Sequence, residues 1–453
     1  MDLADRMHLA SDALQRHFGF ASFRPMQRRV VQSVLAGRDT LAVLPTGGGK
    51  SVCFQVPALT LDGLTVVVSP LISLMQDQVS AARSRGLAAT HLSGDLAPGA
   101  VEHALAQCEA GALRLCYTSP ERLPRLAGQL AARRVRIGLL AVDEAHCISE
   151  WGHDFRPAFR RIAEARSTLG GPPVVALTGS ATPDVRQDII SALALGARPG
   201  ARPGRIDLHL DSFDRANLRF SVQRVRREAQ RIALLRQLLR AEPGLAIVYA
   251  PTRRVTETLA LAIRHGGRPA VAYHAGLDRE TRDRRLRRFL EGDVATVVAT
   301  SAFGMGIDKP DVRLVAHWAM PPTPESYYQE AGRAGRDGAM ARCVLLAGRS
   351  DAELPRRQLD VTFPARKLLE RIWSGNSTGV ANAVRLSAER LKQEMGEDGP
   401  AAWKRINGRK NVALRRIAAM ERYARTSRCR RAALIGWFGE RVRECSGCDN
   451  CDH

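Results

Sequence analysis

The sequence contains no long hydrophobic run. Its 453 residues include no apolar stretch near the ~20 residues that a membrane-spanning helix requires. The first twenty residues mix Asp, Arg and His with scattered apolar residues, so they lack the continuous apolar core of a secretory signal peptide. Internal repeats and long low-complexity tracts are also absent from the sequence. These absences argue against a membrane or secreted protein, and we expect a cytoplasmic one without a membrane partner.

Acidic residues are few relative to basic ones. The chain has 46 Asp and Glu against 68 Lys and Arg, which gives a formal net charge of +22. Such a balance favours a polyanionic partner, of which nucleic acid is the first candidate. The alternative is a basic surface that serves only solubility. The length predicts two or three domains at ~100–200 residues each.

The nine cysteines fall into two groups. A disulfide framework is not expected in the cytoplasm. Five cysteines are scattered and are expected to be small buried apolar residues, namely Cys53, Cys108, Cys116, Cys147 and Cys343. The other four have the spacing C-x15-C-x2-C-x2-C and are Cys429, Cys445, Cys448 and Cys451. Four thiolates at this spacing predict a tetrahedral Zn²⁺ site, with an iron–sulfur cluster as the alternative.

Short apolar runs alternate with helix-length stretches in two series. The first series comprises residues 41–44, 65–68, 113–117, 137–142 and 174–177, and the second comprises residues 246–249, 270–273, 295–299, 314–317 and 343–346. Near-continuous apolar runs at this spacing predict parallel sheets covered on both faces, and therefore two α/β lobes. The Pro/Gly/Arg stretch 196–204 is interpreted as a linker or an inserted loop. After residue 364 the pattern becomes helical, over residues 366–373, 384–395 and 412–438.

A glycine-rich segment follows the first apolar run and comprises Pro45, Thr46, Gly47, Gly48, Gly49, Lys50 and Ser51. Consecutive glycines allow backbone N–H groups to surround a phosphate at the N-terminus of the next helix. Lys50 is predicted to reach the terminal phosphates of ATP, and the Ser51 hydroxyl to hold Mg²⁺. The alternative is a glycine-rich turn with an exposed lysine.

An acidic pair follows the run 137–142. Asp143 is predicted to hold Mg²⁺, and Glu144 to orient and deprotonate the attacking water. Two carboxylates at a helix start can also act simply as caps. For His146, a hydrogen-bonding role and a coupling role both stay open.

Two arginines in the segment QEAGRAGRDG, residues 329–338, are three positions apart. This spacing puts Arg333 and Arg336 on one face of a helix in the second lobe. They are predicted to act as arginine fingers that stabilise charge at the γ-phosphate. The alternative is a solvated basic face.

Several longer blocks resemble the RecQ family of DNA helicases. The segment DEAHCISEWGHDFRP at 143–157 is similar to the aromatic-rich loop that follows the DEAH box in that family. Blocks at 18–27, 212–215, 303–310 and 332–338 also match, so the resemblance spans nearly all of residues 14–347. It departs from the family pattern at Glu150, at Ala216 and at 178–182.

The resemblance implies further roles. Gln27 would select adenine, Phe20 would stack on the base, Arg24 would help to hold it, and Asp308 would approach the ribose or link the ATP and DNA sites. Sensing of single-stranded DNA and its coupling to hydrolysis are implied for Ser149, Trp151, His153, Phe155 and Arg156. Core packing is the alternative role for the two aromatic residues of this loop. Segments 69–78, 117–122 and 249–253 would line the DNA path.

The C-terminal part resembles the RecQ zinc module over residues 429–451. RecQ proteins usually continue into a winged-helix domain, so the sequence is expected to be either a short member or a shortened piece. The arginine-rich helix at 415–431 is a candidate for contact with the phosphate backbone. A second arginine-rich helix around residues 282–288 is more simply a solvated face, with DNA contact as the alternative.

The sequence therefore predicts an α/β protein with two RecA-like parallel-sheet lobes of the P-loop NTPase type, followed by a small helical zinc-binding domain. The predicted domains are residues 1–204, 205–350, a helical connector at 351–412, and the zinc module at 413–453.

The expected function is ATP-dependent 3′-to-5′ translocation on single-stranded DNA with duplex unwinding, in DNA repair or recombination near the nucleoid. The alternatives are a DNA-stimulated ATPase switch or scaffold, and an RNA helicase. The expected ligands are ATP, Mg²⁺, Zn²⁺ and single-stranded or partly duplex DNA. The chain is expected to be a monomer, and the sequence indicates no particular repair or single-strand-binding partner.

Overall fold

The computed structural model describes residues 2–45, 47–94, 96–152, 154–197, 204–304, 309–396 and 400–452. The chain divides into two compact units, Met1–Phe213 and Asp214–His453. Each unit contains a parallel β-sheet with helices around it. None of the helices in these described ranges is both long and apolar enough to cross a membrane.

The first unit is built on a seven-stranded sheet. Its strands are β1 (Thr40–Val43), β2 (Leu64–Val68), β3 (Ala89–Leu92), β4 (Leu115–Thr118), β5 (Ile137–Val142), β6 (Val174–Thr178) and β7 (Asp207–Leu210). Its α-helices are α1 (Leu3–Phe18), α2 (Pro25–Leu35), α3 (Val52–Thr60), α4 (Ile72–Ser84), α5 (Pro98–Glu109), α6 (Leu123–Ala132), α7 (Ile162–Thr168) and α8 (Pro183–Ala192). Two short 3-10 helices cover Ala145–Ile148 and Pro157–Arg161.

The strand order of this sheet places the two ATP motifs close together. All pairings are parallel, and the order is β3-β4-β2-β5-β6-β1-β7. The central strands are buried on both faces and form the main core with α2 and α3. Because β1 and β5 flank β6, their carboxyl ends meet at one edge, where parallel sheets bind ligands.

The second unit has a six-stranded parallel sheet in the order β10-β11-β9-β12-β13-β8. Its strands are β8 (Leu218–Val225), β9 (Leu245–Tyr249), β10 (Ala270–Tyr273), β11 (Thr296–Ala299), β12 (Val312–His317) and β13 (Ala341–Gly348). Its helices are α9 (Glu228–Ala241), α10 (Arg253–His265), α11 (Arg279–Glu291), α12 (Pro324–Ala331), α13 (Glu353–Thr362), α14 (Arg366–Trp373), α15 (Asn382–Met395), α16 (Pro400–Arg425) and α17 (Arg430–Ile435), with a 3-10 helix at Gly436–Phe438.

Every apolar run that was predicted as a strand overlaps one of these strands. The pattern of apolar runs does not predict β3, β7 and β8, and each of these strands lies at an edge of its sheet. An edge strand has a neighbour on one side only, so it can carry polar residues such as those that alternate in β8. The predicted fold class, two α/β lobes and a helical C-terminal part, is confirmed.

The stretch 196–204 does not separate the two units, because the residues that follow it, up to Phe213, belong to the first unit. The strand that follows it, β7, pairs in parallel with β1. The Gly204 N–H donates to the Gly196 carbonyl over 2.7 Å, which brings the ends of the loop together. The first unit therefore extends past the predicted boundary at residue 204. Residues 198–203 lie outside the described ranges, and the other predicted domain bounds stay predictions.

The long C-terminal helix predicted over residues 412–438 is in fact interrupted. Helix α16 ends at Arg425, and α17 begins at Arg430 after a short break. Cys429 caps α17, since its Sγ accepts from the Ala432 N–H over 3.4 Å. The break therefore places the first cysteine of the cluster at a helix start.

Candidate active site and zinc-binding module

The phosphate loop lies between β1 and α3 and depends on its glycines. Gly47 and Gly49 have φ values of +82° and +74°, in the left-handed region. A Cβ at Gly48 would lie 2.9 Å from the Pro45 carbonyl oxygen. Larger residues would thus distort the turn that exposes its N–H groups to phosphate. Thr46 of this loop lies outside the described residues.

The predicted adenine-recognition residues pack against this loop. The Gln27 Nε2 donates to the carbonyls of Gly48 and Gly49, over 3.0 and 3.4 Å. Its Oε1 accepts from the Arg24 N–H over 3.0 Å, and the Arg24 Nη1 donates to the Gly47 carbonyl over 2.5 Å. Two of the three residues are therefore in direct contact with the phosphate loop.

The third adenine-recognition residue, Phe20, is exposed. Its side chain keeps 54% of its accessible surface. A planar base can therefore stack on this ring without displacing the core.

Lys50 contacts the acidic pair at the end of β5. Its Nζ lies 2.8 Å from Glu144 Oε1. The other oxygen of Glu144, Oε2, lies 3.2 Å from His146 Nδ1, which also lies 2.9 Å from Thr178 Oγ1. The structure thus joins the phosphate loop, the acidic pair and the end of β6, in agreement with the strand order.

The two carboxylates differ in their electrostatics. Burial opposes ionisation of Glu144, but the charges and hydrogen bonds of Lys50 and His146 outweigh it and lower the pKa of this carboxyl. Burial and the neighbouring charge of Glu144 raise the pKa of Asp143. The Asp143 Oδ2 accepts from Gln78 Nε2 over 3.1 Å, and Oδ1 from the Glu144 N–H over 3.0 Å. An ionised Glu144 is the form that can accept a proton from water.

The chemistry of the donors fits Mg²⁺. Mg²⁺ prefers hard oxygen ligands and uses one or two carboxylates together with substrate phosphates. Asp143 is 4% exposed and follows β5, and Ser51 is the residue before α3. These are the two oxygen ligands expected from the sequence, and their metal role stays a proposal.

The loop after the DEAH box exposes one aromatic side chain. Trp151 is 41% exposed, so core packing is not its role. The backbone N–H of Trp151 donates to the Oγ of the buried Ser149 over 3.2 Å. Arg156 ties the loop to the segment after β2 by donating from Nη1 to the Pro70 carbonyl over 2.5 Å. Phe155 is half-buried, and His153 lies outside the described residues.

The predicted arginine fingers lie in the second unit, after α12. Arg333 is 8% exposed, and its Nη2 is 3.3 Å from the position that a Cβ on Gly304 would take. It also interacts with the hydroxyl of Tyr249, whose pKa is raised by burial. Arg336 is half-buried. Asp308 lies outside the described residues.

The four C-terminal cysteines converge as the spacing predicts. The sulfurs of Cys429, Cys445, Cys448 and Cys451 all lie within 4.8 Å of one another. Sulfurs of a tetrahedral Zn²⁺ site with ~2.3 Å bonds stand about 3.8 Å apart, so the donor set fits this ion. The loop also extends the second sheet, because the Asp449 N–H donates to the Phe220 carbonyl of β8 over 3.1 Å.

Comparison with known proteins agrees with this geometry. The DEAD/DEAH box helicase model matches residues 24–189, the helicase conserved C-terminal domain matches 230–338, and the RecQ zinc-binding model matches 388–452. A probable ATP-dependent DNA helicase RecS of Bacillus subtilis (strain 168) is 35% identical over 460 residues, which cover 97% of this chain and 91% of that protein. The chain belongs to the RecQ family of ATP-dependent DNA helicases.

Other RecQ relatives are longer than this chain. The ATP-dependent DNA helicase RecQ of Pasteurella multocida (strain Pm70) is 35% identical over 443 residues, which cover 98% of this chain and 62% of that protein. Among solved structures, Mycobacterium smegmatis helicase Lhr bound to ssDNA and AMP-PNP has a TM-score of 0.59 at 22% identity. The alignment covers 93% of this chain and 57% of Lhr, and it supports the two-lobed fold.

Three of the seven arginines in the predicted arginine-rich segment 415–431 of this RecQ chain are buried, and the other four, Arg415, Arg422, Arg425 and Arg428, are exposed, so that contact with the phosphate backbone stays a prediction for them. Arg416 pairs with the buried Glu325 of α12 over 3.1 Å. Arg430 pairs with Asp449, and Arg431, which is fully buried, pairs with Asp214. Buried and paired guanidinium groups are not available to phosphates, so these three arginines do not support the predicted backbone contact.

The arginines of the second arginine-rich helix, α11, also differ in their contacts and exposure. Arg285 donates to the Ala272 carbonyl over 2.7 Å and is therefore a packing residue. Arg284 lies 3.7 Å from Glu280, and Arg287 and Arg288 are exposed. Contact between this helix and DNA stays an untested hypothesis.

Four site contacts involve residues whose roles the sequence did not indicate. Gln78 contacts Asp143, and Thr178 provides the hydroxyl that reaches His146. Thr182, in the same segment, caps α8 by accepting from the Val185 N–H over 3.4 Å. Arg215 donates to the backbone on both sides of Arg333, and Arg431 donates to the carbonyl of Arg215. All four residues lie in segments that were compared with the family, at 69–78, 178–182, 212–215 and 429–451, but their partners become visible only through tertiary contacts.

Proposed function

We propose that this RecQ-family chain binds ATP with Mg²⁺, hydrolyses it when single-stranded DNA is bound, and uses hydrolysis to move 3′ to 5′ and unwind duplexes. The observation that carries the proposal is the cluster of Lys50, Glu144 and Asp143 where β1 and β5 end. Such a cluster provides a phosphate-binding cation, a base for water and a metal ligand. The names of the relatives, which are DNA helicases, support DNA rather than RNA.

Each residue has a distinct proposed task. The loop N–H groups and Lys50 bind the phosphates, and the bound metal would neutralise their charge. Glu144 accepts the proton of the attacking water, and its lowered pKa keeps it ionised at neutral pH. Arg333 and Arg336 stabilise the charge that develops on the γ-phosphate.

Coupling to DNA is assigned to the loop at 149–156. Trp151 offers an exposed ring on which a base can stack without sequence preference. The loop begins directly after the 3-10 helix Ala145–Ile148, and the Arg156 N–H donates to the Cys147 carbonyl over 2.9 Å. A shift of the stacked ring is therefore transmitted over a few bonds to His146 and Glu144.

The first test is ATP hydrolysis with and without single-stranded DNA, with the Glu144→Gln variant as control. We expect strong stimulation by DNA, and a loss of ~10²–10⁴-fold in kcat in the variant because a positioned base contributes that much. Binding of AMP-PNP should persist in the variant, since the phosphate loop is intact. Hydrolysis that survives Glu144→Gln would contradict the assignment of the base.

Polarity and substrate class need separate measurements. Strand displacement on 3′-tailed and 5′-tailed duplexes tests direction, and only the 3′-tailed substrate should be unwound. ATPase stimulation by RNA of the same sequence tests substrate class and should be weaker than that by DNA. DNA-stimulated hydrolysis without displacement of either duplex would instead identify an ATPase switch.

A further inference from the structure

Arg431 is one of the largest fully buried side chains in the described part of the chain, at 0% exposure. It lies on α17, two residues after the zinc-cluster cysteine Cys429. Its Nη1 donates to the Leu218 carbonyl over 2.5 Å, and its Nη2 donates to the Arg215 carbonyl over 2.8 Å and pairs with Asp214. The zinc module thus holds the short segment before β8.

This segment in turn forms hydrogen bonds with the arginine motif, residues 332–338, which contains Arg333 and Arg336. The Arg215 Nη1 donates to the Gly332 carbonyl over 2.7 Å. Its Nη2 donates to the carbonyls of Ala334 and Gly335, over 3.0 and 2.5 Å. Three charge-assisted hydrogen bonds therefore fix the backbone on both sides of Arg333.

The backbone turn between the two proposed arginine fingers has little conformational freedom. Gly335 has φ +53°, and a Cβ there would lie 2.5 Å from Asn217 Nδ2 and 2.6 Å from the Ala339 carbonyl oxygen. The Asn217 Nδ2 donates to the carbonyls of both Gly335 and Ala339 over 2.8 Å. Two side chains of one short segment, Arg215 and Asn217, therefore set the conformation of this turn.

A second connection reaches the same motif from α16. Arg416 pairs with Glu325, and the Tyr423 hydroxyl lies 3.3 Å from that of Tyr327. Both partners lie on α12, the helix that runs directly into the turn. The helical C-terminal region is therefore joined to the arginine motif along two routes, of which the route through Arg215 ends on the turn itself.

We propose that Arg431 and Arg215 are positioning residues for Arg333 and Arg336. In this arrangement the zinc module determines the orientation of Arg333 and Arg336 through the segment that contains Arg215. The module itself does not contact ATP. This inference rests on the proposed ATP hydrolysis. A displacement of ~1 Å at a group that stabilises the transition state can lower the rate about 100-fold, so small changes in this turn have large effects.

The test uses Arg215→Lys and Arg431→Lys, because lysine keeps the charge but cannot form the same set of hydrogen bonds. Arg430→Lys is the matched control. Arg430 is also buried and adjacent in sequence, but its side chain bonds Asp449, the Tyr423 carbonyl and Asn450. The measurements are kcat and KM for ATP with saturating DNA, affinities for AMP-PNP and for ADP–aluminium fluoride, zinc content and Tm.

We expect kcat to fall by ~10–100-fold in Arg215→Lys and Arg431→Lys. The affinity for ADP–aluminium fluoride, which mimics the transition state, should fall in proportion. KM, AMP-PNP affinity and zinc content should stay within about threefold of the unmodified protein, because ground-state binding does not use the fingers. The Arg430→Lys variant should have a lower Tm than the unmodified protein but the same affinity for ADP–aluminium fluoride.

If either lysine variant fails to fold, Asn217→Ala provides the same test, since it removes two bonds to the turn without leaving a buried charge unpaired. It should lower kcat and the affinity for ADP–aluminium fluoride together. Unchanged affinity for ADP–aluminium fluoride in the folded variants would overturn the inference. So would equal losses in Arg430→Lys. An unmodified protein that hydrolyses no ATP, or an Arg333→Ala variant of full activity, would instead contradict the proposed function.

Discussion

Glu144 combines an uncommon backbone conformation with charged side-chain contacts in the ATP motifs. Its backbone has φ +48°, in the left-handed region that non-glycine residues seldom adopt, and its carboxylate contacts Lys50 and lies near His146. Such a conformation costs on the order of 1–3 kcal/mol and persists where the surroundings determine it. Here the hydrogen bond from the Glu144 N–H to Asp143 and the contacts of the Glu144 carboxylate hold the turn.

At the same scale, Trp151 provides a test of coupling. Replacing Trp151 with Ala removes the exposed ring, and base stacking on an aromatic side chain contributes ~1–3 kcal/mol. We expect the DNA concentration for half-maximal ATPase stimulation to rise by roughly 5–150-fold. Trp151→Phe, which keeps an aromatic face, is the matched control and should stay closer to the unmodified protein. A titration in which Trp151→Ala responds like the unmodified protein would remove this residue from the DNA site.

At the scale of elements, the zinc module protects an exposed edge. Strand β8 is the last strand of the second sheet, and the loop around Cys448 pairs with it at Phe220. The Val222 N–H also donates to Asp449 Oδ2 over 2.8 Å. Covering an edge strand in this way satisfies its backbone groups and prevents pairing with other chains. The module is thus part of the second unit and not an appendage.

Loss of zinc should therefore destabilise the second unit. Cys445→Ser, or treatment with a chelator, is expected to lower the Tm by on the order of 10 °C, because each kcal/mol of lost metal binding shifts the Tm of a unit of this size by about 2–4 °C. Cys108→Ala is the matched control, since this buried cysteine lies in the first unit, outside the cluster, and should leave the zinc content unchanged. Zinc content by elemental analysis and calorimetry provide the readout. An unchanged Tm in zinc-free protein would show that the four thiols only pack together.

At the scale of the whole molecule, the net charge of +22 is not a simple measure of a DNA-binding surface. Arg166 is buried against Asp39 in the first unit, and Arg416 and Arg431 are buried against acids in the second. These guanidinium groups act inside the fold. Because each of them is matched by a carboxylate, the ion pairs leave the excess of positive charge at +22, and this excess provides the long-range attraction for a polyanion.

Binding to DNA should accordingly depend strongly on salt. If ~6 phosphates are neutralised, affinity for single-stranded DNA should fall on the order of 10²–10³-fold between 50 mM and 200 mM salt. Fluorescence anisotropy at a series of salt concentrations gives the slope. Arg287→Ala with Arg288→Ala tests whether the exposed arginines of α11 contribute, and an unchanged slope would exclude them.

The sequence by itself determined the features that depend on local chemistry. The phosphate loop needs glycines next to a lysine, the DEAH box needs carboxylates after a buried strand, and the four cysteines carry their ligand spacing along the chain. Strands buried on both faces were also predicted, since they are apolar without interruption. Each of these patterns is complete within one continuous segment, the longest being the 23 residues from Cys429 to Cys451, so no partner from elsewhere in the chain is needed to recognise it.

The tertiary structure alone decided which polar residues are structural. Arg431 and Asp214 are 217 residues apart in sequence, and nothing local shows that the arginine is fully buried. The edge strands β3, β7 and β8 were missed for a related reason, because their polar residues are tolerated only where one side of the strand lacks a neighbour. Only the pairing of β7 with β1 showed that the segment after residue 204 belongs to the first unit. A charged side chain can be buried only where the fold supplies an oppositely charged or hydrogen-bonding partner. A local sequence pattern does not show that partner, because the partner comes from a distant part of the chain.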